Sequence, residues 1–74
     1  MKLQQLEVLL AVVEHGGIRA AARALCVSQA AVTKSMRVLE QQAGTALLIR
    51  KARGVLVTDA GQRLIARARV IARQ

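Results

Sequence analysis

The stretch VSQAAVTKSMRVLE, residues 27–40, carries the strongest structural signal in the chain. Ser28 can cap a helix, because its hydroxyl accepts hydrogen bonds from the free backbone N–H groups of the turn that follows. A helix over residues 29–43 collects its apolar side chains in one stripe, formed by Val32, Met36, Leu39 and Ala43. Its small and polar side chains lie about a third of a turn away. The pattern therefore predicts a helix with one face for a core and a second face for a ligand.

The segment before this helix predicts two further helices. An apolar stripe that ends at the glycine pair 16–17 indicates a helix over residues 3–15. The Ala-rich run IRAAARAL indicates a short helix over residues 18–25, which Gly17 can cap. Two short helices joined by a tight turn, of which the second is polar at its start, follow the helix-turn-helix plan, here over about residues 18–37.

The segment after the helix predicts a hairpin and a last helix. The short apolar runs LLIR (47–50) and VLV (55–57) flank a basic turn, which indicates two strands. Thr58 can cap the last helix, where Asp59 suits the helix dipole. The expected fold is mainly α: a winged helix-turn-helix of three helices plus a short two-stranded β-hairpin wing, about residues 47–57, followed by a linker helix.

The charge of the chain points to a polyanionic partner. Its 74 residues include 12 Lys and Arg against four Asp and Glu, a formal net charge of +8. Phe, Tyr and Trp are absent from the sequence, so unpaired bases would have no aromatic side chains to stack on. Double-stranded DNA is therefore favoured over single strands.

The polar face of the 29–43 helix suits the major groove of DNA. Small residues at Ala30 and its neighbour let the helix approach base edges, and Gln29 and Thr33 can hydrogen-bond to them. Lys34 and Arg37, one turn further along, can reach guanine or phosphate. The hairpin turn RKARG, residues 50–54, is the basic part of the wing. Its cations can enter a minor groove or lie along phosphates; they are Arg50, Lys51 and Arg53.

The strings AAARAL, VSQAAVTKSMRVLE, LLIR and VTDAG, at these separations, resemble the N-terminal DNA-binding domain of LysR-type transcriptional regulators. The resemblance covers nearly the whole chain. It implies a dimeric bacterial regulator whose helix 29–43 enters the major groove and whose wing, residues 50–54, approaches the minor groove. The DNA-binding domain would span residues 1–58, and residues 59–74 would begin the linker helix. Family members usually carry a C-terminal effector-sensing domain, which is absent from this chain, so the sequence resembles a fragment or an excised domain.

The resemblance also assigns contact roles to individual residues. Family base contacts fall on Gln29, Ala30, Thr33 and Lys34 in the helix and on Arg53 in the wing. Ser28 and Arg50 match positions that bind phosphate or brace the fold. The other candidate DNA contacts are Arg19, Arg37 and Lys51. Where the family commonly has arginine this chain has Lys34, which lacks the planar fork that holds guanine at two points, so we expect a looser or shifted base preference.

A dimer is expected from the last helix. Its apolar residues are predicted to extend beyond the compact body and to need a partner surface; they are Leu64, Ile65, Ala68 and Ile71. Two subunits would place two recognition helices on inverted-repeat half-sites of DNA. A full-length protein could form a higher oligomer.

Two other functions fit parts of the sequence. A basic amphipathic membrane-surface peptide also has this charge, although it usually carries Trp or Phe, and a protein-interaction or dimerisation module could carry the charge incidentally. We expect no membrane span. Cys26 is the single cysteine, which excludes an internal disulfide and favours a reduced, cytoplasmic location. The dispersed acidic residues indicate no catalytic site, metal or cofactor, so we do not expect an enzyme.

Overall fold

The computed structural model describes the backbone of residues 2–72 and the side chains of residues 2–70. Four helices and one antiparallel hairpin follow one another in the predicted order: α1 (Leu3–His15), α2 (Ile18–Leu25), α3 (Gln29–Ala43), β1 (Leu48–Lys51), β2 (Gly54–Val57) and α4 (Asp59–Ala72). The first three helices have the predicted bounds. The predicted fold class, a mainly α winged helix-turn-helix followed by a further helix, is confirmed.

Local capping chemistry sets the limits of α3 and the start of α4. The Ser28 Oγ accepts a hydrogen bond from the Ala31 N–H at 3.0 Å. The Thr58 Oγ1 does the same for the Gly61 N–H, also at 3.0 Å. At its other end α3 stops at Gly44, whose φ of 74° is the left-handed conformation that glycine adopts without strain. Both predicted hydroxyl caps are therefore confirmed.

The first hairpin strand is shifted by one residue from its predicted limits, because Leu47 is not part of β1, and the second strand begins one residue earlier than predicted, at Gly54. The Leu47 N–H donates to the Glu40 Oε2 at 2.7 Å, and its carbonyl oxygen accepts from the Thr58 N–H at 3.0 Å. Both backbone groups are thus satisfied outside the strand ladder. The Leu47 side chain, 1% exposed, enters the core instead.

Gly54 closes the wing turn. It pairs with Lys51 across the two strands and has a φ of 99°, which side chains with a Cβ rarely adopt. A Cβ at this position would also lie 2.8 Å from the carbonyl oxygen of Gly16. The tip of the wing therefore packs against the α1–α2 turn at a distance that only glycine allows.

The core is aliphatic and lies where α1, α2 and α3 meet. Leu9 and Leu39 are its largest side chains with no exposed surface. In α2 the core positions are Ala21 and Ala22, whose small size lets this helix approach the other two closely. The remaining buried residues on the first three helices are Leu6, Val8, Ala11, Val12, Val32 and Met36. Ala43, the last member of the predicted α3 stripe, is half-buried against this core.

The last helix, α4, packs on the body through α1 rather than extending from it. Ile65 and Ala68 are 3% and 1% exposed and belong to the core. The prediction that these two residues extend beyond the compact body and need a partner is therefore wrong, because the chain's own core covers them. Leu64 is half-buried against the same core. Ile71 lies outside the residues whose side chains are described.

Candidate nucleic-acid interface

The first two turns of α3 present their polar side chains to solvent. Five of the predicted contacts at or near these turns are exposed: Ser28, Gln29, Ala30, Lys34 and Arg37. Thr33 is half-buried, whereas Val32 beside it has no exposed surface. The two faces predicted for this helix are thus separated in the structure. The outer face combines small side chains at its leading turn with hydrogen-bonding groups behind them, which is the shape and chemistry that a major groove admits.

The wing carries a cluster of cations at its tip. Arg50 and Lys51 end β1, and Arg53 lies in the turn; all three are exposed. The strand pairs Arg50 with Val55 and Lys51 with Gly54, so the backbone beneath the cations is held by the ladder. A short basic loop on a paired scaffold can follow a phosphate backbone without the entropy cost of ordering a free loop.

Two contacts fix the wing against α3. The Arg50 Nη2 donates to the Thr33 Oγ1 at 3.1 Å. The Glu40 Oε2 accepts from the N–H groups of Leu47 at 2.7 Å and Leu48 at 3.3 Å. Thr33 and Glu40 are seven residues apart and therefore lie two turns apart on the same face of α3. The wing is therefore attached to one side of α3 at two points that lie two helical turns apart.

A concave surface lies between the start of α2 and the wing. Its cations come from both elements and are Arg19, Arg23, Arg50 and Lys51. Glycines 16, 17 and 54 also line it, and their backbone is not covered by side chains of their own. Four cations around a shallow concave surface suit a phosphate of the DNA backbone.

Arg50 also lines a groove between α3 and β1, so it belongs to two neighbouring concave surfaces. It lines the groove beside Thr33 and Arg37 as well as the surface beside Arg19 and Lys51. Five of the predicted contacts therefore line two concave surfaces that share Arg50; they are Arg19, Thr33, Arg37, Arg50 and Lys51. The other predicted contacts are exposed at the start of α3 and in the wing turn; they are Ser28, Gln29, Ala30, Lys34 and Arg53.

Two residues that line these concave surfaces, Arg23 and Glu40, were not predicted as site residues from the sequence. Arg23 was recognisable, because it follows Arg19 by four residues and thus lies on the same side of α2. Glu40 was not recognisable, because the two backbone N–H groups that it binds lie outside α3, at Leu47 and Leu48.

In the described part of the chain, no three His, Cys, Asp or Glu side chains come together in a way that could hold a metal ion.

Residues 3–62 match the model of the bacterial regulatory helix-turn-helix proteins of the lysR family. The chain belongs to the LysR family. Among curated proteins, it is similar to the transcriptional regulator TfdS of Cupriavidus pinatubonensis, with 44% identity over 69 residues, covering 93% of this chain and 23% of that protein. It is also similar to the transcriptional dual regulator OxyR of Escherichia coli, with 40% identity over 74 residues, covering 100% of this chain and 24% of that protein.

Solved structures agree with this assignment. The LysR-family chain superposes on the DNA-binding domain of CbnR in a DNA complex with a TM-score of 0.94 and 41% identity, covering 99% of this chain and 84% of that one. The DNA-binding domain of BenM with catB site 1 DNA gives a TM-score of 0.92 and 32% identity, covering 97% and 81%. The chain spans about a quarter of the length of the curated relatives named above.

Proposed function

We propose that this LysR-family domain binds double-stranded DNA at specific sequences, as part of a dimeric bacterial transcriptional regulator that works in the cytoplasm. One observation carries the proposal: the leading turns of α3 are exposed, small and polar, and a basic wing is fixed beside them. The similarity to the CbnR and BenM domains, whose structures contain DNA, supports it. Chains of this family act as regulators, so we propose no enzymatic activity.

In this proposal α3 lies in the major groove and reads base edges. Gln29 can bond an adenine at two points, because its amide offers a donor and an acceptor side by side. Ala30 keeps the leading turn narrow enough to approach the bases. Lys34 and Arg37, which are exposed one turn further along, bind guanine or the flanking phosphates.

The wing and α2 grip the backbone on both sides of this helix. Arg53 at the wing tip approaches the minor groove, whose negative potential attracts cations. Arg19 and Lys51, which line the concave surface between α2 and the wing, hold a phosphate. Ser28 lies at the α3 start, where free N–H groups and a hydroxyl suit a second phosphate.

The domain organisation follows from the same proposal. Residues 1–58 form the DNA-binding unit, and residues 59–74 begin a helix that pairs with that of a second subunit. Leu64 and Ile71 are the residues that we propose for this pairing, whereas Ile65 and Ala68 hold α4 on its own body. Two subunits would address inverted-repeat half-sites, and the effector-sensing domain and any higher oligomer would belong to the full-length protein.

The salt dependence of DNA affinity tests the proposal directly. We expect the logarithm of the association constant for duplex DNA to fall linearly with the logarithm of salt concentration between about 50 mM and 200 mM, with a slope of about −0.9 for each phosphate neutralised. The single strand of the same sequence and anionic lipid vesicles are the controls. A flat salt dependence would favour an interaction module, and tighter binding to vesicles than to duplex would favour a membrane-surface peptide.

The burial pattern already argues against the membrane alternative. The apolar stripes that such a peptide would insert into lipid are closed in the core, where Leu9 and Leu39 have no exposed surface. Among the described residues, no helix has the length and apolar character needed to cross a bilayer.

The oligomeric state is tested by light scattering at high protein concentration. We expect the mass of a dimer for this chain and that of a monomer for Leu64→Glu; a monomeric chain would contradict the dimer.

A further inference from the structure

The hydrogen bond between Arg50 and Thr33 joins two residues that the sequence predicts as separate DNA contacts. They are 17 positions apart in sequence and lie on different elements, with the Arg50 Nη2 3.1 Å from the Thr33 Oγ1. Thr33 lies on the first two turns of α3, which face the DNA in the proposed function. Arg50 reaches it from β1, whose start is fixed to α3 by Glu40.

The chemistry of this bond has one direction. A guanidinium only donates hydrogen bonds and stays protonated, so the Thr33 oxygen must be the acceptor. A free threonine hydroxyl can donate to one group and accept from another, and it therefore discriminates poorly between base edges. Arg50 takes one of the two lone pairs of the Thr33 oxygen. Because this bond comes from a cation, it polarises the hydroxyl group, so the hydrogen becomes a stronger donor and the remaining lone pair a weaker acceptor.

We propose that Arg50 is a positioning residue that makes Thr33 a hydrogen-bond donor toward DNA, so that position 33 selects a base presenting an acceptor in the major groove. This inference rests on the proposed function. Guanine offers the acceptors N7 and O6, thymine O4 and adenine N7, whereas the major-groove edge of cytosine offers the N4 donor. Thr33 therefore selects against cytosine at the base that it faces.

Two simpler arrangements give different results. If Arg50 serves only as a phosphate contact, its loss weakens binding to all sequences alike and lowers the salt slope by about one. If the Thr33 hydroxyl donates to the carbonyl of Gln29, four residues earlier in its own helix, its loss leaves the base preference unchanged. In the proposed arrangement, loss of either side chain changes the preference at one and the same base position.

Selection of bound duplexes from a random library separates these arrangements. The 74-residue chain is compared with Thr33→Val, Arg50→Met and the double variant. Methionine keeps the apolar stem of Arg50, and valine keeps the shape of threonine. Lys51→Ala is the matched control, since this exposed cation neighbours Arg50 on the same strand. Thermal melting followed by circular dichroism confirms that each variant is folded, and Arg50→Lys, which keeps a donor and the charge, replaces any unfolded Arg50→Met.

We expect the unsubstituted chain to deplete cytosine at one position of its half-site. Thr33→Val and Arg50→Met should both relax that depletion, and the double variant should match Thr33→Val there. Thr33→Val should also bind the best site about threefold to tenfold more weakly. Lys51→Ala should weaken binding with the base profile unchanged. Arg50→Lys, where it is used, should keep part of the depletion.

The contradicting outcomes are distinct. An Arg50→Met profile identical to that of the unsubstituted chain overturns the positioning role, as does strict additivity of the two substitutions at the affected base. An unchanged Thr33→Val profile overturns the donor role of Thr33. If the unsubstituted chain enriches no duplex at all, the proposed function itself fails, and that result is recognisable before any variant is compared.

Discussion

Helices α3 and α4 are built on the same plan and differ in what surrounds their first turn. Each helix begins at a capping hydroxyl group, buries one apolar stripe and has exposed Lys or Arg side chains outside that stripe. The first turn of α3 leaves Gln29 and Ala30 in solvent. In the first turn of α4, Gly61 is buried against the Leu47 carbonyl and the Val57 side chain, and Ala60 is half-buried. A cap followed by a basic amphipathic helix is therefore common to both helices, and the exposed first turn is what distinguishes α3, the helix that we propose reads DNA.

The largest effect is expected where α4 is packed most tightly. A Cβ on Gly61 would collide with the backbone of Leu47, which cannot move aside as a flexible side chain could. We expect Gly61→Ala to lower the free energy of unfolding by about 3 kcal/mol, measured by chemical denaturation, although alanine favours helices. The control is Ala31→Ser, at the equivalent third position of α3, which is exposed and should change stability by less than about 0.5 kcal/mol. Equal effects at the two positions would remove the contrast between the helices.

The two capping residues sharpen the same contrast. The Ser28 hydroxyl makes one capping bond, whereas the Thr58 hydroxyl caps α4 and also lies 2.7 Å from the Ala46 carbonyl oxygen. We therefore expect Thr58→Ala to cost about 2 kcal/mol of unfolding free energy and Ser28→Ala about 1 kcal/mol. Denaturant titration of the two variants side by side gives the comparison. A larger cost for Ser28→Ala would mean that α4 is not anchored to the segment before the wing.

A bulky residue on the leading turn of α3 should affect binding more than folding. Ala30→Leu should weaken affinity for the selected duplex about tenfold, because the helix can no longer approach the base edges, and should change stability by less than about 0.5 kcal/mol. The control is Ala66→Leu at an exposed position of α4, which should leave DNA affinity unchanged. Fluorescence anisotropy with a labelled duplex measures both. Equal losses for the two variants would show that α3 has no special role.

Local signals made much of the fold predictable. The capping bonds of Ser28 and Thr58 each reach a residue three positions away, and Gly44 ends α3 through its own backbone conformation, so these three roles could be inferred from neighbouring residues. The apolar stripe of α3 was equally predictable, because its period of about 3.6 residues is a property of the helix itself.

Contacts between elements were not predictable in the same way. The period of α4 shows that Ile65 lies on an apolar face but not which surface covers that face. In the structure, α4 packs against α1 and Ile65 is buried in the chain's own core. The bonds from Glu40 to the start of β1 and from Arg50 to Thr33 join residues 7 to 17 positions apart. Sequence periodicity within one element carries no information about which side chains of another element meet it.

The central claim is that α3 and the wing contact DNA and that the start of α4 does not. Its most direct test is a titration of the isotope-labelled chain with its selected duplex, in which NMR spectra record the shift of each backbone amide. We predict the largest shifts at residues 28–37 and at the wing tip, residues 50–54, with small shifts over residues 58–62 at the start of α4. Shifts that are largest at the start of α4, or spread evenly over all exposed cations, would contradict the account.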